Sequence, residues 1–134
     1  MALDYTFSMI KPDAVKRGII GQILSDIEKN GFTIEKLRKF RMSLDDAEEF
    51  YKSLSGFPFF YDLCQYMTSG SVVAMVLKKD NAVLDFRELI GATNPLEAKE
   101  GTIRKKYGID KGQNSIHGSD SDESSKRESV FFDL

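Results

Sequence analysis

Histidine occurs once in this chain of 134 residues, within N-S-I-H-G-S-D-S-D-E-S, residues 114–124. Imidazole gains and loses a proton near neutral pH, and it can act as a nucleophile. Gly118 follows His117; having no Cβ, it lets a backbone or ligand come close. The Ser and Asp residues beyond it suit a helix start, whose free N–H groups favour anions. The segment before it is basic: Lys99, Arg104, Lys105, Lys106 and Lys111 outnumber Glu100 and Asp110. An imidazole between a basic segment and a helix start is a place to receive phosphate. The bland alternative, a histidine that is only packed or solvated, stays open on these residues.

Other uses of the histidine fit poorly. Zinc takes several His or Cys ligands, and the chain offers one of each, His117 and Cys64, far apart. A nucleophile elbow needs G-x-S-x-G, which is absent, and Ser119 stands too near His117 in sequence to serve. No G-x-x-x-x-G-K-[ST] occurs, so a P-loop does not handle phosphate here. The chemistry left is covalent, with histidine itself becoming the phospho-enzyme.

Composition sets the frame. A chain of 134 residues has the size of one domain, and residues 1–134 are read as one. Hydrophobic residues make up 41%, with ten Phe, five Tyr and no Trp to fill a core. The net charge of −2 leaves no global basic footprint, so neither nucleic acid nor a membrane surface is an expected partner. The lone Cys64 makes no internal disulfide. The start M-A-L-D-Y-T-F-S-M-I lacks the basic and apolar regions of a secretory signal. The apolar run at residues 72–77 falls far short of the about 20 residues that cross a bilayer. The expected location is the cytoplasm.

The elements that position His117 follow from periodicity. Leu3, Tyr5, Phe7 and Met9 alternate with smaller or polar residues, a strand pattern. Residues 18–30 place Ile20, Ile23, Leu24 and Ile27 at helical spacing, and Gly31 suits the C-terminal cap. Residues 32–42 read as a strand whose alternation slips between Ile34 and Leu37, which predicts a bulge. Ser43 and Asp46 resemble a capping box, opening a helix with Leu44, Ala47, Phe50 and Leu54 on one face and Gly56 as its stop. Pro58 opens a short helix with Phe60, Leu63, Cys64 and Met67 inward, ended by Gly70. Residues 72–77 read as a central strand and residues 81–90 as a helix with Phe86, Leu89 and Ile90 apolar. Over residues 91–113 the pattern fails; so long a loop is functional or hides an element. Residues 115–117 form a short last strand, and residues 120–132 a last helix capped at Ser119 or Asp120. Strands and helices in this order give α+β or α/β, and β-α-β-β-α-β is the ferredoxin-like plait.

The residues around His117 resemble the active-site signature of the nucleoside diphosphate kinase family, N-x-x-H-G-S-D-S-x-E-S. The blocks M-I-K-P-D-A-V, R-G-I-I-G, P-F-F, S-G-S-V-V-A-M-V, A-T-N-P and G-T-I-R resemble the family in the same order, so the similarity runs along essentially the whole chain. The resemblance implies an α+β fold: a ferredoxin-like βαββαβ unit with a four-stranded antiparallel sheet and additional helices. It implies transfer of the γ-phosphate of a nucleoside triphosphate to a nucleoside diphosphate. The mechanism is ping-pong, through a phosphohistidine at His117. Mg2+ is expected through the nucleotide phosphates, with no protein side chain assigned to it. Ribo- and deoxyribonucleotides are expected with low base selectivity, and the assembly is a homo-oligomer, tetramer or hexamer, built from dimers.

The resemblance also assigns roles. Lys11 reaches the sugar hydroxyl and phosphate, and Asn114 the ribose. Arg87 and Arg104, with guanidinium forks suited to phosphate oxygens, and Thr93 contact phosphate. Tyr51 lies near the transferred phosphate and His117. Phe59 stacks on the base, with Leu63 as a second apolar contact; every base has a π-face, so stacking is tolerant. Glu128, together with Ser119, orients the imidazole and leaves its other nitrogen free. Read without the family, Lys11 is a solvated strand end, Asn114 a turn residue, Tyr51 a half-buried helix residue, and Phe59 and Leu63 core.

The chain departs from the family pattern at Glu100, where Pro is usual, at Lys105 and Lys106, where small or acidic residues are usual, at Tyr107 in place of Phe, and at Phe57 in place of a basic residue. These lie in or near a loop the family uses for subunit contacts, so assembly geometry is what they put in question. Longer relatives carry a C-terminal extension beyond the position of Leu134, which leaves tetramer and hexamer both open. Three further readings stand beside the kinase: a non-catalytic binding module, a histidine phosphocarrier that serves proteins, and a nucleic-acid binder resting only on the basic segment.

Overall fold

Alternation in the first strand and a proline after it set the opening of the fold. β1 spans Tyr5–Ile10, α1 Pro12–Lys16, α2 Ile20–Lys29 and β2 Thr33–Phe40. The computed structural model describes residues 3–134; Met1 and Ala2, which begin the stretch read as lacking a secretory signal, lie outside them. After β2 come α3 (Leu44–Phe50), a 3-10 turn (Lys52–Leu54), α4 (Phe60–Met67), β3 (Val72–Lys78) and α5 (Ala82–Ile90). The chain closes with α6 (Ile103–Tyr107), β4 (Ile116–Gly118) and α7 (Asp122–Phe131).

The sheet has four strands in the order β2-β3-β1-β4, and every neighbouring pair is antiparallel. β1 and β2 therefore point the same way with β3 between them, the split β-α-β arrangement of the ferredoxin-like α+β fold. Two insertions depart from the bare plait: α3 to α4 between β2 and β3, and the segment containing α6 between α5 and β4. These insertions flank His117.

Strand alternation divides the core between the faces of the sheet. Ile10, Val73, Met75, Leu77 and Ile116 meet Ile23 and Ile27 of α2, Phe86 and Ile90 of α5, and Ile103 of α6. On the other face Phe7, Met9, Val72 and Ala74 meet Ala47 of α3, Cys64 and Met67 of α4, and Phe132. Each fully buried side chain of this size contributes about 1.5–3 kcal/mol relative to exposure. β4 follows the same alternation: Ile116 faces the first cluster and His117 turns to the second, with its ring centroid 6.0 Å from Phe7 and 5.8 Å from Phe50.

The expected bulge in β2 lies between Ile34 and Lys36. Ser43 caps α3, its hydroxyl accepting from the Asp46 N–H at 3.1 Å. Other boundaries differ from the pattern. α3 ends at Phe50, so Leu54 sits in the 3-10 turn rather than on the helix face, and Leu44 is exposed. α1 is too short to show a period; Pro12 in its first turn, with φ already set, starts it. α6, likewise a short helix, lies in the segment where periodicity fails. The cap of α7 is Ser121, whose hydroxyl accepts from the Ser124 N–H at 3.1 Å, because the Ser119 hydroxyl is turned to Glu128. Gly118 is needed for helix packing rather than for a ligand: a Cβ there would stand 2.9 Å from Phe86 Cδ2 and 3.0 Å from Ile90 Cδ1.

Candidate active site

The His117 imidazole is held from behind. Glu128 lies on α7, and its Oε1 is 2.9 Å from His117 Nε2. The Ser119 hydroxyl donates to the same Oε1 at 2.7 Å. Burial pushes the Glu128 carboxyl up, but the hydrogen bond and charge of His117, with the Ser119 hydroxyl, outweigh it and hold the carboxyl below its ordinary value. An ionised acceptor at Nε2 places the ring proton there and leaves the Nδ1 lone pair free. Among the described residues no hydrogen bond reaches Nδ1. Phe7 and Phe50 pack against the ring and limit its tilt.

His117 opens onto a cleft of about 670 Å³. Lys11, Tyr51, Phe59, Leu63, Thr93, Arg104 and Asn114, all expected from the sequence, line it with His117. Ser119 and Glu128 stand behind the histidine. Arg87 does not line this cleft. It borders a separate concavity of about 910 Å³ that contains no other expected site residue. Its Nη1 donates to the Gly118 carbonyl at 3.5 Å, a long bond.

The cleft is cationic and unfinished. Lys11 follows β1 and is 8% exposed. Burial, with the Arg104 charge, lowers its ammonium to about 8, while Asp13 pulls the other way. Arg104 is aimed by α6: its Nη1 donates to the Gly91 carbonyl at 3.0 Å and its Nη2 to the Ile116 carbonyl at 2.9 Å. Burial and the charge of Arg87 bring it to about 10, so it stays charged at neutral pH. Among the described residues, Arg104 Nε, Asn114 Oδ1 and Tyr51 Oη are buried without a hydrogen-bond partner, although buried polar atoms are nearly always paired. Asn114 is fixed by Nδ2 donating to the carbonyls of Thr93 at 3.0 Å and Lys111 at 3.1 Å. Burial and the Glu128 charge raise the Tyr51 hydroxyl, which keeps it a neutral donor.

The apolar end of the cleft decides between core and ligand readings. Phe59 is 49% exposed and stacks on Phe57, with centroids 5.3 Å apart and planes 21° apart. It is therefore not core. Leu63 is half-buried beside it. Asp62 and Tyr66 also line the cleft; they are four residues apart on α4, on one helix face just after Phe59, a signal available in the sequence. Leu54 and residues 110–113 complete the lining, and only Lys111 carried an earlier signal, through the basic segment. The departures Lys106 and Tyr107 converge on Asp26 of α2: Lys106 Nζ lies 3.3 Å and the Tyr107 hydroxyl 3.0 Å from its Oδ2.

A divalent cation finds no cage of protein ligands here: among the described residues no three His, Cys, Asp or Glu side chains gather around one point. Cationic side chains and unpaired polar atoms fit a polyanion. No described helix is long and apolar enough to cross a membrane.

Comparison with known proteins agrees with this geometry. The sequence profile of the family described as nucleoside diphosphate kinase matches residues 4–133. The nucleoside diphosphate kinase of Flavobacterium psychrophilum is 50% identical over 131 residues, 98% of this chain and 94% of that protein. That of Persephonella marina is 45% identical over 132 residues, again 98% and 94%. A crystal structure of the Aquifex aeolicus nucleoside diphosphate kinase superposes with a TM-score of 0.93 at 42% identity, covering 96% of this chain and 94% of that one. With similarity of this extent and a site of this composition, the chain belongs to the nucleoside diphosphate kinase family.

Proposed function

We propose that this chain transfers the γ-phosphate of nucleoside triphosphates to nucleoside diphosphates, with Nδ1 of His117 as the phosphoryl carrier. The observation that carries this reading is the Glu128 carboxylate on Nε2, behind an imidazole that opens onto a cationic cleft with unpaired polar atoms. The base stacks on Phe59 against Leu63, which accepts any base and accounts for low selectivity. Asn114 Oδ1 and Lys11 receive the sugar hydroxyls, and Lys11, Arg104 and Thr93 hold the phosphates, with Arg87 approaching from the rim. Nδ1 attacks the γ-phosphorus, an Nδ1–P bond forms, the bond to the β-phosphate oxygen breaks, and the diphosphate leaves. A second diphosphate then attacks the phosphohistidine with its terminal oxygen, and the Nδ1–P bond breaks. Glu128 stabilises the imidazolium formed between these steps, and Tyr51 donates toward the transferred group. Mg2+ carried on the nucleotide would neutralise phosphate charge.

The reading extends to residues 1–134 as one kinase domain, to the cytoplasm, and to a homo-oligomer, tetramer or hexamer, built from dimers. The exposed edge of β2 with Leu37 leaves a surface for such an assembly, and sedimentation equilibrium measures it. The reaction is tested by a pulse with γ-32P-ATP and Mg2+ followed by a chase with GDP. Acid-labile label on the protein that moves to GDP supports it. Label that moves only to another protein favours the phosphocarrier, and no label favours a binding module.

A further inference from the structure

Asp13 and Arg17 belong to the blocks M-I-K-P-D-A-V and R-G-I-I-G, and the reaction above uses neither. Asp13 is 5% exposed and does not line the cleft. Its Oδ2 accepts from Arg17 Nη2 at 3.0 Å and from the Ser115 hydroxyl at 2.8 Å. Its Oδ1 accepts from the Tyr66 hydroxyl, and its backbone N–H donates to that hydroxyl at 3.0 Å. Arg17 is pinned as well: Nη2 donates to the Tyr107 carbonyl at 2.6 Å and to Ser115 Oγ at 2.9 Å. Asp13 and Arg17 together thus join α1, α4, the end of α6 and the residue that leads into β4.

Ser115 occupies a demanding position. Its φ of 77° is left-handed, a region that residues with a Cβ seldom adopt. Such a conformation persists where its surroundings over-determine it. Here the hydroxyl is bonded to Asp13 and Arg17, and the carbonyl accepts from the Lys11 N–H at 2.9 Å. Ser115 stands between Asn114 and the strand that carries His117. Tyr66, at the other end of the network, shares the cleft face of α4 with Leu63, one turn after Phe59.

We propose that Asp13, locked by Arg17, is the positioning residue of the nucleotide cleft. Through Tyr66 it sets the α4 wall that receives the base, and through Ser115 it sets the turn that presents Asn114 opposite that wall. The inference rests on the nucleotide reading above. Asp13 touches neither substrate nor His117; it acts by fixing the separation of the two walls, to which transfer is sensitive at the ångström scale.

The test compares two phosphoryl donors on Asp13→Asn and Tyr66→Phe chains, at a temperature where circular dichroism shows them folded. ATP needs both walls. Phosphoramidate is a small donor that needs only the imidazole. With ATP, kcat/KM for His117 phosphorylation is expected to fall roughly 10-fold or more, with a raised KM, while phosphoramidate labelling stays near wild type. If Asp13→Asn fails to fold, Tyr66→Phe and Ser115→Ala, each removing one link, carry the comparison. Rates with both donors falling together overturn the proposal, because that is a general loss of structure. A wild-type chain that transfers while the variants match it overturns this inference alone. A wild-type chain that takes no phosphate from ATP overturns the nucleotide reading and this inference with it.

Discussion

Replacing Glu128 with Gln isolates the charge behind the His117 imidazole. Both His117 Nε2 and the Ser119 hydroxyl address the same oxygen, Oε1, at 2.9 and 2.7 Å. A Gln that places its carbonyl oxygen there keeps both hydrogen bonds, so the ring and its tautomer stay as they are. Only the carboxylate charge is lost. A hydrogen bond to a charged partner contributes about 1.5–3 kcal/mol and a neutral one about 0.5–1.5, so the imidazolium loses about 1–2 kcal/mol of stabilisation. At about 1.4 kcal/mol per tenfold, His117 phosphorylation should slow by roughly 5- to 30-fold. Single-turnover quench-flow with γ-32P-ATP reads this rate directly. The KM for nucleotide should hold, because Glu128 does not line the cleft. The same substitution has a pH signature. The folded carboxyl lies below its ordinary value, so its contribution to stability is present above that value and lost as pH falls through the lowered one. The gap in melting temperature between wild type and Glu128→Gln should therefore close on acidification. An unchanged rate, or a change confined to KM, would refute the orienting and charge-stabilising role.

Lys11 should show a conflict between stability and function. Its ammonium is lowered from 10.5 to about 8 by burial and Arg104, so it costs stability below about pH 8, and the cost fades as pH rises from there toward 10.5. Lys11→Met should stabilise the fold by about 1–3 kcal/mol at pH 7 in urea titrations while nucleotide turnover collapses. Nucleotide binding at pH 8–9 should take up protons, seen by calorimetry in buffers of different ionisation enthalpy. Phe59→Ala should weaken nucleotide binding by about 1–3 kcal/mol across several bases, with little change in melting temperature because the ring is 49% exposed; equal Michaelis constants would refute the stacking role. Gly118→Ala should destabilise by about 1–3 kcal/mol in urea, since its Cβ would fall 2.9 Å from Phe86.

How much of this was legible depended on whether a signal was local. β3 declared itself as an apolar run, α2 as a helical period, and the β2 bulge as a slip between Ile34 and Leu37. β4 has too few residues to show clear alternation, and reading it as residues 115–117 placed it one residue early of Ile116–Gly118. α1 and α6 are likewise too short for periodicity, although Pro12 and Thr102 mark their starts. Phe59 reads as core in sequence because exposure is a property of the α3–α4 insertion rather than of the residue. The unpaired atoms of Tyr51, Arg104 and Asn114 are tertiary facts, since each needs distant segments to bury it. Asp13 lay in plain sight within a matched block, but its partners Tyr66 and Ser115 are 53 and 102 residues away.

The central claim is that Nδ1 of His117 carries the phosphoryl group. With one histidine in the chain, phosphorylating 15N-histidine-labelled protein with ATP and reading the ring by 1H–15N and 31P NMR tests it without ambiguity. Phosphorus on Nδ1, with Nε2 still protonated against Glu128, is the predicted result. Phosphorus on Nε2, or on a side chain other than His117, would contradict the account.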